Sequence, residues 1–362
     1  MADYSRSGEH RACSLNNRGP IKFENNGKLD GKVLEAYGRT GFYVFENVIG
    51  KDELVELLTD VQLVLDRAPT GPGARLDQNG NPAKGLDFAL PSYVWSNPLS
   101  DPLGGTELNK GRHPVKMLDP RPPQGSPNFT IERLRGNLQL MDACLRLYGH
   151  LKLLAVAEAV LGSDFVPYNE VAFVKEPGLG PSVAWHRDGT THWDAADWDQ
   201  DAHGFNFMAQ LYASTASNGV WILPGSHKRP NLDIKKLVAD SGSERIENAV
   251  PLLCKAGDVA MTNRQCVHGS FANTSRDRRV TLNEGFFARK RVLNVSAQKL
   301  DGASDTYTAD NIHERCRLIP LAIDARRQRY PDEKSYVYQP FVGEEDANRW
   351  NNAASKNQIK DY

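Results

Sequence analysis

The chain has 362 residues and a formal net charge of −1, with 40% hydrophobic and 25% charged residues. That composition suits a globular protein able to bury a sizeable core, and it gives no electrostatic argument for a nucleic-acid or membrane-surface partner. Five scattered cysteines without a C-x-x-C pair point to reduced thiols rather than a disulfide framework or zinc site. No apolar run reaches the roughly 18 residues of a membrane span, so a cytoplasmic setting is expected.

Residues 1–27 are polar and read as a flexible arm preceding a single domain at 28–342, which a polar tail at 343–362 follows. Positions 28–39 suit a short helix, and 41–45 (GFYVF) a compact apolar strand. In 51–67, Leu54, Leu57, Leu58, Val61 and Leu65 recur at helical spacing behind acidic residues, which predicts an amphipathic helix. Residues 69–127 are rich in Gly and Pro and carry Tyr93 and Trp95. So long an excursion in a compact domain is expected to cover something, as a lid does.

The apolar spacing over 138–161 predicts one helix stopped at Gly162. From Phe165 onward the texture is that of short strands, at 167–175, 183–188, 205–213, 220–223, 258–262 and 280–287, with turn signals between them. A late helix is expected at 311–329. Strands following helices imply a mainly-β domain, an antiparallel double sheet or barrel with helices packed on one face.

Within the strand region, Trp185-His186-Arg187-Asp188 is answered far downstream by Val267-His268-Gly269. Residues two apart on a strand point to the same side, so His186 and Asp188 can grip one ion. Two imidazoles and one carboxylate take one face of a non-haem iron(II) and leave the opposite face open. His186, Asp188 and His268 are therefore the candidate metal ligands. Arg279 opens an apolar strand, and a guanidinium entering the interior needs an anionic partner. A carboxylate matches its planar fork, and Ser270 can add a hydroxyl donor.

The segments 173–178 (FVKEPG), 185–188 (WHRD), 217–228 (SNGVWILPGSHK), 257–259 (GDV), 268–270 (HGS) and 273–279 (NTSRDRR) keep a distinctive order and spacing. Together they resemble the phytanoyl-CoA dioxygenase-like branch of the Fe(II)/2-oxoglutarate oxygenases. The resemblance implies a double-stranded β-helix (jelly-roll, cupin-like) core at 165–290, buttressed by α-helices. It implies Fe(II) on His186, Asp188 and His268, and 2-oxoglutarate chelating that iron with its distal carboxylate on Arg279 and Ser270. Dioxygen takes the remaining position, and succinate and carbon dioxide are the co-products. Asp188 argues against a halogenase, which has a small residue there.

Asn169 stands where the family often places a polar residue facing the co-substrate. Gln210 shares a strand face with Met208 and Tyr212, and is a further co-substrate candidate. Met208 and Tyr212 depart from the Trp and Asp the family often has at these places. The loop 189–204 would hang over the metal mouth, making Thr190, His192, Trp193 and nearby Tyr212 candidate substrate contacts. His113, His150, His203 and His313 read as structural or exposed histidines. His227 should hold its Pro-Gly-Ser-His turn, and Arg278 should point outward. Lys84, Lys110, Arg112 and Lys116 are the residues able to supply a basic patch near the mouth.

The expected activity is oxidation of a small molecule, most simply hydroxylation of a biosynthetic or natural-product intermediate. The same cofactors also serve desaturation, epimerisation and cyclisation. A non-catalytic metal-binding jelly-roll that senses a ligand is the alternative of another class, and it has no need of Arg279 with Ser270. Neither monomer nor homodimer is favoured.

Overall fold

The structure is a computed structural model that describes residues 2–88, 92–188, 204–298, 304–351 and 359. The strands of its two main sheets are β1 (Arg18–Gly19), β2 (Phe42–Phe45), β3 (Tyr93–Ser96), β4 (Thr130–Arg135), β5 (Val166–Lys175) and β6 (Val183–His186). They continue with β7 (Phe205–Gln210), β8 (Trp221–Ile222), β9 (Val250–Pro251), β10 (Val259–Asn263), β11 (His268–Ser270) and β12 (Arg279–Phe287). One eight-stranded sheet runs β1-β2-β10-β7-β12-β5-β4-β3, and a four-stranded sheet runs β6-β11-β8-β9. Neighbours are antiparallel except β1 with β2.

Strand periodicity decides which side chains meet the site. In β12, Val280, Leu282 and Phe286 enter the core on the helical side, whereas Arg279, Thr281 and Asn283 line a cavity between the two sheets. In β7, Phe205, Phe207 and Ala209 face the helices while Asn206 and Met208 face that cavity. A one-residue slip in either register would put these polar groups into the apolar layer, so burial fixes the pairing.

The helical layer holds the expected helices Gly31–Thr40, capped by the Asp30 carboxylate, and Lys51–Asp66, with Leu57, Val61 and Val64 buried. The single helix expected at 138–161 is instead three, Asn137–Leu140, Asp142–Tyr148 and Leu151–Leu161. The breaks are at Met141, which is extended at φ −133°, and near His150, which caps the last helix by accepting from Leu153 N. All three helices bury apolar residues in one core, so the apolar spacing carries through the breaks. The late helix is likewise two, Ala309–Cys316 and Leu318–Arg329. Pro320 lies in the first turn of the second, where its missing N–H breaks no intrahelical bond.

His150 gives the fold a pH dependence. Burial first, then Arg326, lowers its pKa from 6.5 to about 3. The unfolded chain takes up a proton at this residue as pH falls through 6.5, and the folded chain does so only near 3. Stability is therefore present above 6.5 and lost as pH falls through that window. Urea unfolding of His150→Asn, which keeps a capping oxygen, should show a flatter loss between pH 6.5 and 4 than wild type.

The expected arm at 1–27 carries a docked helix, and part of the polar tail at 343–362 is held against the fold. Ala2–Ser14 is a helix laid on the smaller sheet, with Tyr4 stacked on Trp221 at 4.6 Å and donating to the Ile246 carbonyl at 2.9 Å. Gly8 passes the Trp221 ring so closely that a Cβ would come within 2.6 Å of it. At the other end the Trp350 N–H donates to Asp324, and Asn348 is buried. No helix among the described residues is long and apolar enough to cross a membrane.

Candidate metal and co-substrate site

His186 ends β6 and lies directly opposite His268, the first residue of β11, with ring centroids 4.3 Å apart. Nδ1 of each ring lies against the carbonyl two residues earlier, Ala184 at 2.8 Å and Cys266 at 2.9 Å. A carbonyl only accepts, so Nδ1 carries the proton and Nε2 keeps the lone pair a metal needs. Burial and the neighbouring His268 lower the His186 pKa to about 4, which keeps that imidazole neutral near pH 7.

Asp188 lies just past the end of β6, where its N–H donates to the Arg264 carbonyl. One carboxylate oxygen is 3.5 Å from His186 Nε2, and the other accepts from Asn206 Nδ2 at 2.6 Å, with the Arg264 guanidinium 3.9 Å away. Burial alone would raise its pKa, but Arg264, His268 and His186 together hold it well below the usual carboxylate range. One donor atom from each of His186, Asp188 and His268 lies within 4.8 Å of the other two.

These residues share a cavity with Phe173, Val183, Met208, Val220, Ser270 and Arg279. Arg279 is 2% exposed, and its Nε and Nη1 are buried without a hydrogen-bond partner. Burial lowers its pKa to about 10. An interior cation left in that state is costly unless an anion joins it. The donor set therefore fits both groups: two imidazoles that each present Nε2 and an ionised carboxylate suit a divalent iron, and an orphaned guanidinium beside a hydroxyl suits a carboxylate.

The other expected site residues divide. Gln210 is buried behind the cavity wall, accepting from Thr281 Oγ1 at 2.8 Å and donating to the Met208 carbonyl. Its amide orients Thr281, which does line the cavity. Tyr212 lies beyond the end of β7, on an outer groove with Val55, Leu58 and Gln62, because the strand stops at Gln210. It is not at the metal site. Asn169 lies on β5 with its side chain outside the described residues, as Thr190, His192 and Trp193 are entirely.

His227 holds its turn, with Nε2 3.1 Å from the Gly38 carbonyl. Arg278 points outward to Glu176 at 2.9 Å.

Sequence reasoning missed the supports from the excursion. His113, expected to be structural or exposed, is 1% exposed with its ring 4.3 Å from that of His186. Burial, then His186, lowers its pKa to about 2. Part of the excursion reaches the metal ligands, and Asp101 shapes the stretch that does so. Its buried carboxylate accepts from Gly104 N and Met117 N at 3.0 and 2.7 Å, and Gly105 N donates to the His113 carbonyl. Asp101→Ala leaves two buried N–H groups unpaired and should cost about 2–5 kcal/mol in urea unfolding.

Residues 121–281 match the family model of phytanoyl-CoA dioxygenase (PhyH). No curated protein matches the chain. Among solved structures it is similar to EctD from S. alaskensis with 2-oxoglutarate and 5-hydroxyectoine, at TM-score 0.52 and 20% identity over 78% of this chain and 83% of that one. It also matches EvdMO1 at TM-score 0.48 and 22% identity over 70% of this chain, spanning only 49% of that longer one. The epimerase SnoN from nogalamycin biosynthesis matches at TM-score 0.46 and 17% identity, over 75% of this chain and 87% of that one. The EctD likeness establishes the shared fold, a double-stranded β-helix core with flanking helices.

Proposed function

We propose that this chain, which over residues 121–281 belongs to the phytanoyl-CoA dioxygenase family of Fe(II)/2-oxoglutarate oxygenases, hydroxylates a small-molecule biosynthetic intermediate. The observation that carries the reading is Arg279, whose buried, partnerless guanidinium shares one cavity with His186, Asp188 and His268. A ligand-sensing jelly-roll that only binds metal has no use for such a cation.

In this reading His186, Asp188 and His268 hold iron by one face, while Asn206 and Arg264 keep Asp188 aimed and ionised. Arg279 and Ser270 receive the distal carboxylate of 2-oxoglutarate. Phe173, Val183, Met208 and Val220 give its carbon chain an apolar wall that excludes water. With dioxygen, iron and 2-oxoglutarate together supply an oxidant for a C–H bond, with release of succinate and carbon dioxide. Hydroxylation asks for no further hydrogen donor or base from the protein, whereas epimerisation, desaturation or cyclisation each depends on how the substrate radical is quenched. The cysteines are free thiols, in keeping with a reducing compartment such as the cytoplasm.

The test is succinate production from the Fe(II)- and 2-oxoglutarate-loaded protein on admitting air. Slow release without substrate, accelerated in step with an oxygenated product by a substrate, supports the reading. Release no faster than from the Asp188→Ala protein would overturn it.

A further inference from the structure

Arg112 is delivered to the metal site by the same Asp101-pinned stretch as His113. It is partly buried, its Nε is fully buried without a partner, and among the described residues no carboxylate forms an ion pair with it. Burial opposes its charge most, Arg264 and Arg133 oppose it further, and Asp188 and Tyr168 favour it. Both of those cations are compensated. Arg264 donates to Asn206 Oδ1 at 2.6 Å and lies over the Tyr168 ring at 4.5 Å, and Arg133 has the Glu132 carboxylate 2.9 Å away, without a hydrogen bond between them. Asp188 is already committed to Asn206 and to the imidazole pair, so it does not neutralise Arg112. Nor does Arg112 line the cavity of Arg279, so the 2-oxoglutarate that Arg279 would take does not reach it. His113 beside it is buried with Nδ1 unpartnered, a second polar atom with no protein group to satisfy it.

A guanidinium held among other cations at the edge of a metal site is stable only when an anion joins it. We infer that the substrate carries an oxyanion, a carboxylate or a phosphate, which Arg112 receives at the edge of the metal site, outside the cavity that the metal ligands line, with His113 supplying a further hydrogen bond. The inference rests on the oxygenase reading above and names its substrate class. It assigns the two unpaired arginines to different anions, Arg279 to the co-substrate and Arg112 to the substrate.

The test titrates the anaerobic, Fe(II)-loaded, 2-oxoglutarate-saturated protein by calorimetry with benzoate, phenyl phosphate and neutral benzamide. Benzoate or phenyl phosphate should bind saturably and at least about tenfold more tightly than benzamide, and whichever binds better identifies the oxyanion. Arg112→Gln should weaken the anions at least about tenfold without moving benzamide or 2-oxoglutarate affinity. Arg112→Lys, which keeps the charge and loses the fork, should fall between the two and separates recognition from misfolding.

Equal anion affinity in wild type and Arg112→Gln, no preference over benzamide, or no saturable binding would each overturn the inference. Failure of the wild type to bind 2-oxoglutarate is read before any probe is added. That result strikes the oxygenase reading, and anion binding that persists and depends on Arg112 would then stand by itself as a property of the chain.

Discussion

Arg279→Gln is expected to weaken 2-oxoglutarate binding by about 2–4 kcal/mol, or roughly 30- to 1,000-fold, with metal affinity unchanged. The side chain is 2% exposed, and its Nε and Nη1 meet no protein acceptor. Little water reaches the pair to screen it, so the charge-assisted bonds to a carboxylate keep most of their strength. Glutamine retains a donor but loses the charge and the fork. The sign of the stability change separates a binding role from a structural one. Without 2-oxoglutarate the variant should melt no lower than wild type, because a buried unpaired cation has been removed. With saturating 2-oxoglutarate the wild type should gain several degrees and the variant almost none. A variant that melts well below wild type in both conditions would make Arg279 a structural residue.

Asp188→Ala is expected to abolish turnover and to weaken divalent-metal binding more than about 100-fold. The carboxylate is the only anionic ligand of the trio, and it is ionised despite burial because Arg264 and the two imidazoles hold it so. Alanine leaves two imidazoles and no anion facing a dication. Asn206→Ala, which keeps the carboxylate but removes the 2.6 Å bond to its outer oxygen and the 2.6 Å bond that holds Arg264 beside it, should lie in between, at about 10- to 100-fold. Titration of the metal-free proteins with Mn(II), followed by its spin resonance, reads all three. Equal affinity in wild type and Asp188→Ala would remove Asp188 from the ligand set.

How far the site was legible depended on whether its residues obey a local rule. Arg279, Thr281 and Asn283 alternate with Val280 and Leu282 on one strand, so a period of two reports which of them face inward. His186 and Asp188 are two apart, and His268 meets them because β11 pairs in register with β6. Gln210 and Tyr212 follow the same alternation on paper, but Gln210 is held by Thr281 and the strand ends before Tyr212.

Arg112 and His113 lay beyond any such rule. The excursion that carries them has no long period, and the stretch around them is shaped by a buried carboxylate contacting Gly104 and Met117, a contact no local spacing announces. The first helix hid for a related reason. Its sequence is polar, and one stacked tyrosine and one close glycine dock it. The helix breaks at Met141 and His150 hid because the apolar spacing runs through them.

The central claim is that iron and 2-oxoglutarate share one cavity, on His186, Asp188, His268 and Arg279. Its most direct test is an anaerobic titration of the metal-free protein with Fe(II) and then 2-oxoglutarate. The readout is the weak visible charge-transfer band of 2-oxoglutarate chelated to iron. Wild type should show a saturable band, Asp188→Ala should lose it, and Arg279→Gln should show it only at far higher 2-oxoglutarate. A folded, iron-loaded wild type that shows no band would contradict the account and leave a metal-binding jelly-roll without oxygenase chemistry.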